Sequence, residues 1–241
     1  MRMAYSVDAA LVVALYDELL LQSFPADELE SRETMLQCLG MGRSENGSAE
    51  AVVVLDEDSD TPIACAINYW YAGGRSCLLG YLAVARHRRR QGIAAQLLSK
   101  VTSTWQRDLG CDLAVVEIEN PRYYPGEEPL ARLRMYKPFC LGVLDIDFVV
   151  PLVDPMARRA EGFLLAVLHT SRTGLGGDGR SVKATFVEEF IHSYFLAAQG
   201  KEGTSDDQEA SNLFAACLER DYIRLLPIME FGTSMKKGCH P

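Results

Sequence analysis

Apolar residues in the first half of the chain recur with two different periods. Helical spacing runs through residues 9–21 and again through residues 29–39. Short apolar runs bounded by acidic or glycine-rich turns then predict three strands in a meander, at residues 51–55, 63–71 and 77–84. The next amphipathic helix is predicted from apolar residues spaced by four, namely Ile93, Leu97, Val101 and Trp105.

The second half of the chain continues this alternation of strands and helices. The pattern predicts, in order, a strand at 112–119, a helix at 130–137, strands at 143–150 and 162–169, and helices at 181–198 and 209–219. Residues 224–228 fit either a short strand or an extended tail. The chain is therefore expected to combine helices and strands throughout.

Composition and charge exclude several classes of protein. Of the 241 residues, 48% are apolar and 24% are charged, as in ordinary globular proteins. The net charge of −9 argues against a nucleic-acid binder, because such proteins must neutralise phosphates. No apolar run is long enough to span a bilayer, so we expect no membrane partner.

The cysteines and histidines give no sign of a metal site. Seven cysteines are scattered singly without a CxxC pair, and four histidines lack the spacing of metal ligands. Several cysteines lie in apolar runs, as buried free thiols do. We therefore expect no metal and a reducing, cytoplasmic location.

A basic turn between the strand at 77–84 and the following helix carries the clearest chemical signal. Five residues from Arg86 to Arg90 include four arginines, and Gly92 and Ala94 follow. Backbone N–H groups at a helix start bind anions, and glycine lets a ligand approach them closely. The turn therefore predicts a site for a diphosphate.

The spacing Arg89-x-x-Gly92-x-Ala94 resembles motif A of the GNAT superfamily of acyl-CoA-dependent N-acyltransferases. The resemblance implies an α/β (α+β type) GNAT fold: a mixed, mostly antiparallel, splayed sheet flanked by helices, with a helical C-terminal extension. It also implies acetyl-CoA as cosubstrate, with the pantetheine pairing to backbone groups of Leu82, Ala83 and Val84. The pyrophosphate would be held by Arg89, Arg90, Gln91, Gly92, Ile93 and Ala94.

Two carboxylates lie on one face of the strand at 113–119. Side chains alternate with period two along a strand, so Glu117 and Glu119 point the same way near its C-terminal end. Ligand clefts in α/β sheets commonly lie at such ends. Either glutamate is a candidate general base, although Glu119 is equally compatible with a position in solvent.

The block that follows resembles the second GNAT signature, in which Asn follows a strand and Tyr lies on the next helix. Asn120 and Tyr136 take those positions. The resemblance places Asn120 among the coenzyme-binding residues and makes Tyr136 the acid that protonates the departing thiolate. The block looks like one bacterial GNAT subgroup of unknown acceptor. Cys140 stands where that subgroup usually has glycine, and Gly142 follows two residues later.

The resemblance implies an N-acetyltransferase of EC class 2.3.1, with residues 1–171 as the GNAT domain and 172–241 as the extension packed on it. The acceptor is an amine on a small molecule or a protein. Apolar residues recur at helical spacing in the extension (Val182, Phe186, Phe190 and Tyr194), and we expect them to be buried on the domain or in a homodimer interface. The alternative is a non-catalytic acyl-CoA-binding regulatory module.

A dinucleotide-binding protein is disfavoured. Gly174-x-Gly176-x-x-Gly179 has the spacing of the dinucleotide-binding fingerprint, but no second strand follows soon after the helix behind it.

Overall fold

A computed structural model describes residues 2–4, 8–25, 28–40, 47–107, 110–152 and 159–232. The chain folds into two compact units, Met1–Cys111 and Asp112–Pro241. The first contains the basic turn, and the second contains the candidate acid and bases.

The first unit is built on an antiparallel sheet in the order β1-β2-β3-β4. Its strands are β1 (Arg2–Ala4), β2 (Gly47–Leu55), β3 (Pro62–Tyr71) and β4 (Ser76–Val84). The predicted meander of three strands is confirmed, and β1 is an addition that the sequence did not predict. β4 is the last strand of this unit's sheet.

Helices cover both faces of this sheet. On one face lie α1 (Ala9–Ala14), a π-helical stretch (Leu15–Leu20), α2 (Leu21–Ser23) and α3 (Arg32–Gly40). On the other face, α4 (Ile93–Arg107) packs against β3 and β4. The stripe that predicts α4 is its buried face: Ile93, Leu97, Val101 and Trp105 are each at most 2% exposed.

A β-bulge interrupts the pairing of β3 with β4. Ile67 is opposite Tyr81 and Asn68 is opposite Leu79, so Gly80 has no partner. A Cβ atom at Gly80 would lie 2.5 Å from Cε2 of Tyr69, and therefore only glycine fits beneath this ring. Bulges bend a strand and take backbone groups out of the regular ladder.

Within the second unit, antiparallel strands lie in the order β5-β7-β6-β9-β8. Its elements are β5 (Leu113–Glu119), α5 (Glu127–Tyr136), β6 (Gly142–Leu144), β7 (Phe163–Thr170), β8 (Ser181–Lys183), α6 (Ala184–Asp206), α7 (Gln208–Leu218), β9 (Tyr222–Leu226) and a 3-10 turn (Ile228–Gly232). The α/β class with mostly antiparallel strands is thus confirmed.

The C-terminal residues contribute strands as well as helices. β9 pairs with both β6 and β8, and α6 contacts β5. Helix α6 begins at Ala184, later than predicted, and the helical stretch continues past its predicted end at residue 198 to Asp206, with a kink at Gly200. The predicted strand at 143–150 is too long, because only Gly142–Leu144 pairs before the chain leaves the sheet.

The dinucleotide-binding interpretation fails on topology. The glycines at 174, 176 and 179 lie in the loop between β7 and β8, and β8 pairs antiparallel with β9. A dinucleotide-binding unit would instead need parallel strands on either side of a helix.

No helix in the described ranges is long and apolar enough to cross a membrane. The same ranges contain no group of three or more His, Cys, Asp or Glu side chains that could hold a metal ion.

Candidate coenzyme and acid-base sites

The basic turn after β4 has an unusual backbone. A 3-10 turn (Arg86–Arg88) follows the strand, and α4 then begins at Ile93. Arg90 has φ +63° and Gly92 has φ +78°, so two residues of this short connection are left-handed. Left-handed residues in a turn can aim backbone N–H groups toward a bound anion.

The first turn of α4 adds backbone donors next to this turn. The first N–H groups of an α-helix have no acceptor within the helix, and the helix dipole makes that end positive. The carbonyl of Gly92 already accepts from the N–H of Gln96 at 3.1 Å, which fixes the helix start. A Cβ atom at Gly92 would have no heavy atom of the chain within 4 Å, so the space beside this residue is open.

The arginines of the turn divide into anchors and exposed charges. Arg88 forms an ion pair with Asp56, which follows β2. Arg89 is exposed, and its Nε donates to the carbonyl of Val84 at 3.1 Å, which ties its side chain to the end of β4. Arg90 and Gln91 are also exposed. Positive charge therefore surrounds the open space beside Gly92.

The predicted pantetheine-binding residues directly precede this turn. Leu82, Ala83 and Val84 pair with β3 on one side of β4, and Leu82 and Val84 are half-buried. The structure thus brings all nine predicted residues of the first unit into one continuous strand-turn-helix segment, from Leu82 to Ala94.

The two glutamates of β5 have different environments. Oε1 of Glu117 is shielded from solvent and has no hydrogen-bond partner among the described residues. Burial raises the pKa of Glu117 to about 7, and a hydrogen bond from Tyr194 of α6 partly opposes this rise. Glu119 instead forms an ion pair with Arg132 of α5, with 2.6 Å between Oε2 and Nη1.

Tyr136 lies at the end of α5 and is 6% exposed. Burial raises the pKa of its hydroxyl above the ordinary value, with a smaller opposing effect from Arg132. The hydroxyl therefore stays protonated and can act as a proton donor. Both Tyr136 and Arg132, the partner of Glu119, are presented by the same short helix.

Asn120 organises the turn after β5. Its N–H donates to the carbonyl of Gly162 at 2.9 Å, and its Oδ1 accepts from the N–H of Arg122 at 3.1 Å. These contacts are those of a structural turn residue, and its coenzyme contact stays a prediction.

The departure from the family pattern at Cys140 is accommodated locally. Cys140 Sγ donates to the carbonyl of Gly142 at 3.2 Å, and burial raises the pKa of this thiol to about 11. A Cβ atom at Gly142 would lie 2.8 Å from Cβ of Leu225, so the close approach of β9 requires glycine here.

Comparison with protein families finds one matching domain. Residues 48–137 match the acetyltransferase (GNAT) domain, a range that includes the basic turn, both glutamates of β5, Asn120 and Tyr136. Residues 48–137 are therefore similar to a GNAT acetyltransferase domain, in a match that spans less than half of the chain.

Solved structures with the GNAT fold resemble this chain at low sequence identity. A protein assigned to the GNAT acetyltransferase family of Bacteroides thetaiotaomicron is 18% identical, covers 83% of this chain and 99% of its own, and has a TM-score of 0.60. A GNAT family acetyltransferase from Elizabethkingia anophelis with acetyl-CoA bound is 19% identical, covers 63% and 88%, and has a TM-score of 0.41. The first supports the fold. A comparison with curated proteins finds no match.

Sequence reasoning missed one cluster of polar groups in the first unit. Glu30, which precedes α3, is held by hydroxyl groups of three tyrosines: Tyr16, Tyr69 and Tyr81. Tyr69 and Glu30 are 39 residues apart in sequence, and neither belongs to a GNAT motif that the chain displays. Only the folded sheet brings them together.

Proposed function

We propose that this GNAT protein transfers an acyl group, acetyl in the simplest case, from acetyl-CoA directly to the amine of an acceptor. The observation that carries the proposal is the left-handed, open turn at Gly92 between β4 and the start of α4. Its N–H groups and exposed arginines suit the diphosphate of coenzyme A. The pantetheine would extend from there along β4, past Val84 toward Leu82.

The reaction removes two protons from the acceptor nitrogen and adds one to the departing thiolate. The acceptor ammonium loses one proton to a base, the neutral nitrogen bonds to the thioester carbon, and the C–S bond then breaks. The nitrogen gives up a second proton and the thiolate takes one, so the products are an amide, the CoA thiol and one proton released to water. General acid-base catalysis of such steps is worth about 10²–10⁴-fold.

We propose Glu117 or Glu119 as the base and Tyr136 as the acid, the roles that the GNAT resemblance implies. The environments favour Glu117 over Glu119. A carboxylate with a pKa of about 7 is suited to take a proton near neutral pH, whereas Glu119 is engaged by Arg132. The protonated state of buried Tyr136 suits a donor to the thiolate.

The pH dependence of kcat should show which of the two glutamates is the base. Glu117 must be ionised to act as base, so kcat for amine-dependent release of the CoA thiol should rise with pH, with a midpoint near a pKa of about 7. Glu117→Gln should lower kcat by about 100-fold and remove this limb. Glu119→Gln is the matched control on the same strand and should retain it. A limb that persists in Glu117→Gln but vanishes in Glu119→Gln would assign the base to Glu119.

The proposed location is the cytoplasm. The six cysteines among the described residues are all free thiols, as expected in a reducing compartment. The proposal includes an acceptor amine on a protein or a small molecule, and a homodimer.

A further inference from the structure

A cavity of about 320 Å³ lies between α4 and the strands β2, β3 and β4 of the first unit. Its lining contains both tryptophans of the chain, Trp70 of β3 and Trp105 of α4. Well-packed interiors leave few voids larger than a water molecule, whereas small-molecule sites have volumes from about 300 Å³ upward. The size of this cavity is therefore that of a site for a small ligand.

The cavity lies apart from the coenzyme turn. Lys100 and Thr104 line it, and at a rise of about 1.5 Å per residue they are about 12–18 Å further along α4 than Gly92. On the sheet side most of its lining comes from β2 and β3, whereas the proposed path of the pantetheine follows β4. A molecule in the cavity would therefore occupy a site of its own.

The lining includes a buried polar group without a partner. Asn68 of β3 is 8% exposed, and its Oδ1 has no hydrogen-bond partner among the described residues. Asparagine is depleted in strands, and a buried acceptor without a donor is unfavourable. The amide can turn about its last side-chain bond, so either of its polar atoms can meet a group in the cavity. A ligand that supplies an N–H group would satisfy this acceptor.

The charged residues of the lining balance one another. Glu50 of β2 is directly opposite Asn68 in the register of the two strands, so the carboxylate and the amide are neighbours. Lys100 brings one positive charge from α4. Both charged residues are half-buried, and no other charged residue of the described ranges lines the cavity. One negative and one positive charge favour a ligand without net charge.

The two tryptophans favour a flat ligand. Trp105 is 1% exposed and Trp70 is half-buried, so indole surface is available both deep in the cavity and near its opening. Flat aromatic rings stack on such side chains, and hydrogen bonds at the ring edge then distinguish one ring from another. Asn68 and Glu50 would supply the acceptors for such bonds.

From this lining we infer a second binding site in the first unit, for a neutral, planar heteroaromatic molecule that carries amino N–H groups at its ring edge. The aminopurines are the simplest members of this class. The N–H groups would donate to Glu50 and Asn68, and the ring would lie against Trp70 and Trp105. The inference does not depend on the proposed acyl transfer, because none of these residues belongs to the coenzyme turn or to the acid-base group.

The test is a titration of the full chain with 2-aminopurine, followed by calorimetry and by tryptophan emission. Purine is the counterpart that lacks the amino group. We expect 2-aminopurine to bind and to change the emission, because both tryptophans line the cavity. Purine should bind about tenfold more weakly, since it leaves an acceptor of the lining without a donor.

Two variants change the cavity in different ways. Asn68→Leu has a similar size but lacks the amide, so it should weaken 2-aminopurine binding by about tenfold or more without lowering the melting temperature. Thr104→Phe should abolish binding by filling the cavity from α4. Thr102→Phe is the matched control. Thr102 is also half-buried on α4 and also donates to the carbonyl four residues earlier, but it does not line the cavity. Thr102→Phe should bind as wild type does.

Acetyl-CoA shows which site the purine occupies, because the coenzyme itself contains adenine. Saturating acetyl-CoA should not displace 2-aminopurine from the cavity. Displacement by acetyl-CoA, equal binding of purine, or no binding of 2-aminopurine to wild type would overturn the inference. Unchanged binding in both Asn68→Leu and Thr104→Phe would overturn it too. A wild-type protein that binds 2-aminopurine in the cavity but does not bind acetyl-CoA would contradict the proposed function alone.

Discussion

Gly92→Val is expected to lower the affinity for acetyl-CoA by about 100-fold while the protein stays folded, because charge-assisted hydrogen bonds to a diphosphate are each worth about 1.5–3 kcal/mol. A Cβ atom at Gly92 would meet no heavy atom of the chain within 4 Å, and this open space is where the diphosphate would sit. A branched side chain there would fill it. Calorimetric titration measures the change directly.

Backbone strain must be separated from loss of the site, because valine at φ +78° is itself unfavourable by about 1–3 kcal/mol. Gly179→Val is a matched control. Gly179 has φ +65°, is also free of neighbours within 4 Å, and lies in the loop before β8. It should lower the melting temperature similarly and leave acetyl-CoA affinity unchanged. Equal affinities for Gly92→Val and wild type would remove the coenzyme assignment.

Ending the chain after residue 173 is expected to give an insoluble or unfolded protein without acetyltransferase activity. The deletion removes α6, whose Tyr194 bonds Glu117, and β9, which pairs with β6. It uncovers the face of β5 that carries Glu117, and the alternation of side chains along a strand puts Leu113 and Val115 on that face too. Each uncovered large apolar side chain costs about 1.5–3 kcal/mol, and a few of these equal a domain's total stability of about 5–15 kcal/mol.

The matched control for this deletion is a chain that ends after residue 232, which retains every helix and strand described. It should be soluble and melt cooperatively. Solubility on expression and circular dichroism compare the two. A soluble and fully active 1–173 fragment would show that the C-terminal residues are dispensable, and would leave the contact of Tyr194 with Glu117 without a role in activity.

Local periodicity predicted the amphipathic elements, which bury one face and expose the other. The stripe of α4 and the meander from β2 to β4 follow from spacing alone, because each buries one face against a neighbouring element. The short strands β8 and β9 were harder to predict. Residues 181–183 continue the apolar pattern of α6, and only pairing with β9 makes them a strand. Tertiary contacts decide such short segments.

The candidate site divides in the same way. The coenzyme turn could be predicted because its residues are contiguous in sequence. Glycine is needed at position 92 because the backbone there is left-handed. The unequal environments of Glu117 and Glu119 could not be predicted, because they depend on Tyr194 and Arg132, which are distant in sequence. The alternation of a strand assigns both glutamates to one face but does not reveal their partners.

The most direct test of the central claim is a single-turnover reaction of the full chain with acetyl-CoA and a panel of primary amines, including polyamines and peptides with free N-termini. Mass spectrometry would follow the acetylated amine, and a thiol reagent would follow free CoA. We predict that at least one amine is acetylated with release of one CoA per amide, and that Gly92→Val loses this reaction. Tight acetyl-CoA binding without acetylation of any amine would contradict the claim and identify a non-catalytic acyl-CoA-binding module.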